Sequence, residues 1–487
     1  MRLIHAASLQ LERFDDDSKI PPYAILSHTW GNEEISLQQF QNTYTGDEPT
    51  RTRIRGMSGY SKIVKTCEQA LIDDYAYAWV DTCCIDKQSS SELSEAINSM
   101  YSYYAKAQIC YAFLDDLKPR IQLHRKSEPE AIRADLQDEQ HLATSRWFSR
   151  GWTLQELIAP VDVMFYAADW VFIGARSVLH GRLSRITGIE RAVLSRVKTV
   201  DQFSVAKRMS WAAKRKTTRL EDMAYSLMGL FDVNMPLLYG EGEKAFIRLQ
   251  EEILKESDDQ SLFAWTPITT RPRTNGMRGP KALGISVFAR HPLDFTEAKD
   301  IYPLVPQGEP TTVTNKGVRI DLPIIQVKQN VLLEQDNLFL AVLYCGYGED
   351  DRQHPAIILR SISSETGAHE YVRHETAGIF TINSNEVFSS DMRQIYLSKQ
   401  PNRWLRKRAQ FEMGPRIKLL DRGRIRQLRF FEHTEQGTGS VQHEELGTLV
   451  ASVSRQSNGS RTSLTSARDG ILSRLSLSRG STSYSLP

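Results

Sequence analysis

The chain has 487 residues, with 61 Lys and Arg against 59 Asp and Glu and a formal net charge of +2. That balance gives no overall field to hold nucleic acid or a membrane surface. The length predicts about two to four domains, and 40% hydrophobic with 25% charged residues is ordinary for a globular protein. The five cysteines, Cys67, Cys83, Cys84, Cys110 and Cys345, lie in apolar runs without CxxC spacing, which predicts reduced thiols in the cytoplasm. The first residues meet acids before any signal-length apolar run, and no long uncharged stretch follows, so no membrane span is expected.

Strand and helix signals alternate first. Tyr23–Thr29 reads as a short apolar strand with a polar end, behind the Pro21-Pro22 breaker. Glu33–Phe40 reads as a short helix and Gln41–Arg55 as a polar loop. Ser61–Asp73 has apolar residues at helical spacing. Tyr77–Asp86, with Trp79, Val80, Cys83, Cys84 and Ile85, reads as a buried strand closed by polar residues. Ser89 and Glu92 form a capping-box pattern ahead of a helix carrying Leu93, Ile97, Met100, Tyr101 and Tyr104. Gln108–Leu114 and Val161–Tyr166 read as strands. Lys118–Glu139 is a charged interruption, either an exposed helix or an insertion. The βαβαβ rhythm predicts a parallel sheet with flanking helices in a domain of residues 1–175.

A helical segment, 176–268, is expected next. Met209–Leu230 and Glu243–Glu256 carry its apolar faces, with a turn at Pro236 and Gly240-Glu241-Gly242. Short strands follow in 269–450: Ile285–Phe288, Val318–Ile325, Leu338–Tyr344, Ala356–Leu359, Gly378–Ile382 and Ile395–Leu397. Their Gly, Pro, Asn and Asp separators predict a β-rich C-terminal domain, sandwich or barrel. Residues 451–487 are Ser- and Arg-rich with few hydrophobics, the composition of a disordered tail.

Polar groups at the carboxyl ends of parallel strands sit where open α/β sheets bind ligands. His28 ends a strand beside Trp30, placed for proton transfer or for a structural hydrogen bond. Asp81 and Asp86 are candidates to hold a ribose or a cation, against the alternative of capping turns. Cys83 or Cys84 with His28 is a weak nucleophile pattern, because free cysteines are usually core filler. His28, Cys83 and Asp86 lack the second ligand pair of a zinc site, so no metal is expected. Trp30, Trp79, Trp147 and Trp152 read as core and pocket wall rather than as a binding platform. Glu156 lies in Thr153-Leu-Gln-Glu156, which also fits a helix-capping box.

Three boxes in this order resemble the fungal heterokaryon-incompatibility (HET) domain: Tyr23-Ala-Ile-Leu-Ser-His-Thr-Trp-Gly31, Trp79-Val-Asp-Thr-Cys-Cys-Ile-Asp86 and Ser149-Arg-Gly-Trp-Thr-Leu-Gln-Glu-Leu157. Lys87 intervenes where the family pattern runs from Asp directly to Gln. Arg208-Met-Ser-Trp211 with Thr218–Phe231 is similar to the helical companion of such domains, and Thr314–Pro323 to a signature of their C-terminal region. The resemblance implies an effector of non-self recognition and programmed cell death. It implies protein partners, among them a non-self sensor, and leaves a homo-oligomer open. It also implies a fold like Toll/interleukin-receptor (TIR) domains, some of which cleave NAD at the nicotinamide bond. By that analogy Glu156 carries over as the catalytic carboxylate with His28, while Trp30, Asp81, Asp86 and Trp152 line the pocket. NAD is then a substrate and no cofactor is needed. The competing class is a non-enzymatic module that acts by assembly.

Overall fold

The structure, a computed structural model, describes residues 1–118, 139–267, 285–305, 308–328, 338–348, 352–362, 369–374, 378–387 and 391–399, with strand pieces at 426–427, 429–430 and 450–453. Most of the charged interruption and the Ser/Arg-rich tail lie outside these residues.

Seven strands build the first sheet: β1 (Arg2–His5), β2 (Gln10–Arg13), β3 (Tyr23–His28), β4 (Tyr77–Trp79), β5 (Ile109–Phe113), β6 (Val163–Tyr166) and β7 (Phe172–Ala175), in the order β2-β1-β4-β3-β5-β6-β7. The four central strands are parallel: Ile25 faces Trp79 on one side and Cys110 on the other, and Phe113 faces Tyr166. Every residue of β3 is buried, as expected of a strand covered on both faces. The expected parallel sheet is in fact mixed, because β1, β2 and β7 pair antiparallel at its edges. β1 and β2 are short and joined by a tight connection, which only antiparallel pairing permits.

The helices follow their caps. Ser36 and Gln39 make a reciprocal capping box that starts α1 at Leu37, and α1 (Leu37–Thr45) buries Leu37 and Phe40. Asp47 caps α2 (Glu48–Arg55) through the Thr50 amide. The expected loop over Gln41–Arg55 is therefore mostly helix; two short-range caps outweigh its polar composition. α3 spans Ser58–Ile72. The Ser89 hydroxyl accepts from the Glu92 amide at 3.3 Å and starts α5 (Ser90–Lys106). The Glu92 carboxylate does not close the box; it accepts from the Asp86 amide and pairs with Arg2.

The Tyr77–Asp86 strand stops early. β4 ends at Trp79 and the chain turns into α4 (Asp81–Cys84), with the Cys84 amide donating to Val80 O at 2.9 Å. Apolar residues at 79, 80, 83 and 84 suit a helical turn as well as a strand, and a run this short does not decide between them.

Met209–Leu230 is also broken, into Val205–Ala212, Asp222–Tyr225 and a 3-10 turn at Met228–Leu230. Lys244–Glu256 is one helix. In the β-rich part, Ile285–Phe288 forms only a single bridge, Ile285 to Arg373. The other strands form. Val318–Lys328 pairs with Asp391–Leu397 and Leu338–Val342, Leu338–Val342 with Gln353–Ser361, Gln353–Ser361 with Glu370–Arg373, and Glu370–Arg373 with Asp391–Leu397. That circuit of five strands closes on itself, which removes exposed edges as a barrel does. Buried Arg373 ties the barrel to the helical segment, donating to Phe263 O at 2.8 Å and to Trp265 O, with its guanidinium 3.8 Å from the Trp265 ring centre. One hydrophobic core runs through the sheet, the helical segment and the barrel. Among the described residues no helix is long and apolar enough to cross a membrane.

Candidate functional site

The strand order of the parallel core, second-first-third-fourth in chain order, puts its switch point between β3 and β5, where doubly wound sheets bind ligands beyond the strand ends. Ser27 and His28 close β3 there. Successive strand residues face opposite sides of a sheet, and these two side chains accordingly have separate partners.

On one side, His28 Nε2 lies 2.9 Å from Asp81 Oδ1, and Trp30 Nε1 donates to Asp81 Oδ2 at 2.9 Å. His28 Nδ1 is 3.8 Å from Glu34, which is itself bound to Lys62 at 2.5 Å. The turn of α4 brings Asp81 to this position; an extended Tyr77–Asp86 strand would have carried it away. Burial would raise the Asp81 carboxyl, but Lys87, His28 and Arg150 outweigh it and hold the group well below the usual carboxylate range. Trp30 is 42% exposed. The Lys87 ammonium sits 3.7 Å and the Arg150 guanidinium carbon 5.3 Å from its ring centre.

On the other side, Trp147 Nε1 donates to Ser27 Oγ at 2.8 Å, and Ser27 Oγ donates to Glu156 Oε2 at 2.5 Å. Glu156 is 7% exposed on the short helix Thr153–Ile158. Burial raises its carboxyl to about 7; the Ser27 hydrogen bond and the Arg150 charge oppose the rise, and Asp81 adds to it. The expected capping box does not form. Thr153 is the first helical residue, and its hydroxyl donates to Trp147 O and Arg150 O, which leaves the Glu156 carboxylate for Ser27. Buried Arg176 holds the far end of this helix, donating to Leu157 O, Pro160 O and Val161 O at 2.7, 3.1 and 2.7 Å.

His28, Trp30 and Asp81 thus come together, and Glu156 joins them through the charge of Arg150 rather than by a hydrogen bond. Asp86 is engaged elsewhere, accepting from the Gln88 amide at 3.0 Å and Gln38 at 2.9 Å, the turn-capping alternative. Trp152 lies beside Asp222 of the helical segment and favours its ionised form. Cys83 and Cys84 are buried, and burial pushes the Cys83 thiol far up, so Cys83 supplies no thiolate.

Sequence reasoning missed Ser27, Trp147 and Arg150 as site residues, although each stands inside or beside a quoted box. It also missed Arg215, which has no motif. Arg215 is 3% exposed and donates to Arg150 O at 2.9 Å and Thr153 Oγ1 at 2.8 Å. Gly151 N donates to Lys216 O at 2.8 Å and Lys216 N to Ser149 O at 2.7 Å. The helical segment is thereby stitched to the helix that carries Glu156. A cavity of about 420 Å³ lies apart, walled by Arg2, Arg13, Trp79, Glu92 and Tyr103.

Residues 23–156 match the family described as "Heterokaryon incompatibility protein (HET)", so the match begins at β3 and ends at Glu156. Residues 244–411 match a domain of unknown function, DUF8212. The chain is 45% identical over 241 residues to vegetative incompatibility protein HET-E-1 of Podospora anserina. That alignment covers 49% of this chain and 16% of the relative, so the chain spans only a small part of that protein's length. No solved structure matches. By these matches residues 23–156 are similar to the heterokaryon incompatibility family and residues 244–411 to a second family that has no assigned function.

Proposed function

We propose that the chain is a cytoplasmic effector of vegetative incompatibility in fungal non-self recognition, triggered through protein partners, and that its N-terminal domain kills by hydrolysing the nicotinamide–ribose bond of NAD. The observation that carries the enzymatic part is Glu156: a buried carboxyl raised to about 7 at the switch point of the sheet. Perturbed carboxyls at such positions are candidates for chemistry. The flavodoxin-like strand order of the parallel core supports the TIR-like reading, and the layout from Trp152 to Glu156 on a short helix supports the choice of residue.

In this reaction the glycosidic bond breaks and nicotinamide leaves with the bonding electrons. The ionised Glu156 faces the positive charge that develops on the ribose, and water adds to the anomeric carbon, losing a proton. A carboxylate plays this part in glycoside hydrolysis. His28, held by Asp81, is the base assigned to take that proton.

The second reading, a module that acts by assembly, is favoured by one observation: Glu156 accepts a hydrogen bond from the internal residue Ser27, and the carboxylate is nearly sealed from solvent. Expression of the full chain with Glu156→Gln in a fungal host separates the two. The enzymatic reading expects loss of toxicity at an unchanged protein level. Undiminished toxicity of the variant sinks it.

A further inference from the structure

Three cationic side chains of the site carry donors without a hydrogen-bonded acceptor among the described residues. Lys87 Nζ rests on the Trp30 ring, and no carboxylate, carbonyl or hydroxyl of the described residues hydrogen-bonds it. The Arg150 guanidinium approaches the same ring, and its Nε is buried without a partner. Buried Arg215 uses one terminal nitrogen on Arg150 O and Thr153, while the other, also buried, has none. Arg215 lies close enough to Glu156 for the two charges to interact.

An arginine carries five donors in a fixed fork suited to phosphate. Leaving them empty inside a protein costs desolvation that nothing repays. The negative groups nearby do not balance the set. Asp81 is already shared by His28 and Trp30, and Glu34 belongs to Lys62. Three cations therefore face Asp81 and a Glu156 that is partly protonated near neutrality.

We propose that Lys87 and Arg150, flanking the exposed Trp30, form an anion subsite for the vicinal phosphates of a pyrophosphate-containing ligand. Arg215 fixes Arg150 from behind through its backbone carbonyl. Lys87 stands on the Trp30 ring and swings from it to meet the phosphates. The subsite gives the ligand class for the reaction proposed above, and it rests on that reading only for its role in turnover.

The test is equilibrium binding of inorganic pyrophosphate to the full chain, by calorimetry at low salt, with orthophosphate beside it. Lys87→Ala and Arg150→Gln should each weaken pyrophosphate binding at least tenfold, and orthophosphate should bind more weakly than pyrophosphate. Near-ultraviolet circular dichroism checks that each variant is folded, and Lys87→Arg should restore binding. Pyrophosphate that fails to bind the parent, or binds it and the folded Lys87→Ala variant alike, overturns the subsite. Pyrophosphate binding intact in a protein that releases no nicotinamide would overturn the hydrolysis and leave the subsite standing.

Discussion

Replacing Glu156 by Gln should make the protein more stable at alkaline pH than the parent, although it removes a residue of the proposed chemistry. The carboxyl rises from an ordinary 4.5 to about 7 because burial disfavours its ionised form. A folded state that binds a proton more tightly than the unfolded chain loses stability as pH rises through the interval between the two values. The rise corresponds to about 3 kcal/mol, present in full below about 4.5 and gone above about 7. Gln keeps an oxygen to accept from Ser27 and has nothing to ionise. The stability of Glu156→Gln relative to the parent should therefore climb by about 2–3 kcal/mol between pH 5 and pH 8. Urea titrations at a series of pH values measure it. A difference that does not change with pH would refute the buried, raised carboxyl and with it the reason for choosing this residue.

The remaining predictions concern the scaffold of the site. Arg215→Ala should destabilise by about 2–4 kcal/mol, because the Arg150 carbonyl and the Thr153 hydroxyl lose a buried charged donor; Arg215→Lys should recover part of this in thermal unfolding. Gly151→Ala places a Cβ 2.4 Å from Thr217 Cγ2, and overpacking of this kind costs about 1–3 kcal/mol, read as a lowered urea midpoint. Arg373→Ala strips two carbonyls and the Trp265 ring of their partner. It should cost about 3–5 kcal/mol and make the β-rich part the first to be cut in limited proteolysis.

Much of this architecture was legible because its signals are local. β3 is an apolar run behind two prolines, α5 starts at a serine cap, and Lys244–Glu256 carries apolar residues on one face. These patterns need no knowledge of distant residues. Tyr77–Asp86 failed at the point where strand and helical turn bury the same apolar residues, and tertiary contacts made the choice. The Gln41–Arg55 segment failed because its composition is polar while its caps, Ser36 and Asp47, are helical.

The site divides in the same way. Glu156, His28 and Asp81 stand in recognisable boxes, and the structure puts them at one end of the sheet. Ser27 and Trp147 become site residues only when β3 meets the chain 120 residues later. Arg215 lies 65 residues from Arg150, with no periodicity or spacing to mark it. A buried arginine that braces a carbonyl has no sequence signature; its role comes from what it touches.

The central claim is that Glu156 acts chemically rather than as a packed hydrogen-bond acceptor. Nicotinamide release from NAD by the purified full chain, followed by chromatography at high protein concentration and with Glu156→Gln beside it, tests this most directly. Release by the parent is expected, rising with pH through about 7 as the carboxyl ionises, and none by the folded variant. Equal release by both, or none by a parent shown to be toxic in cells, would contradict it.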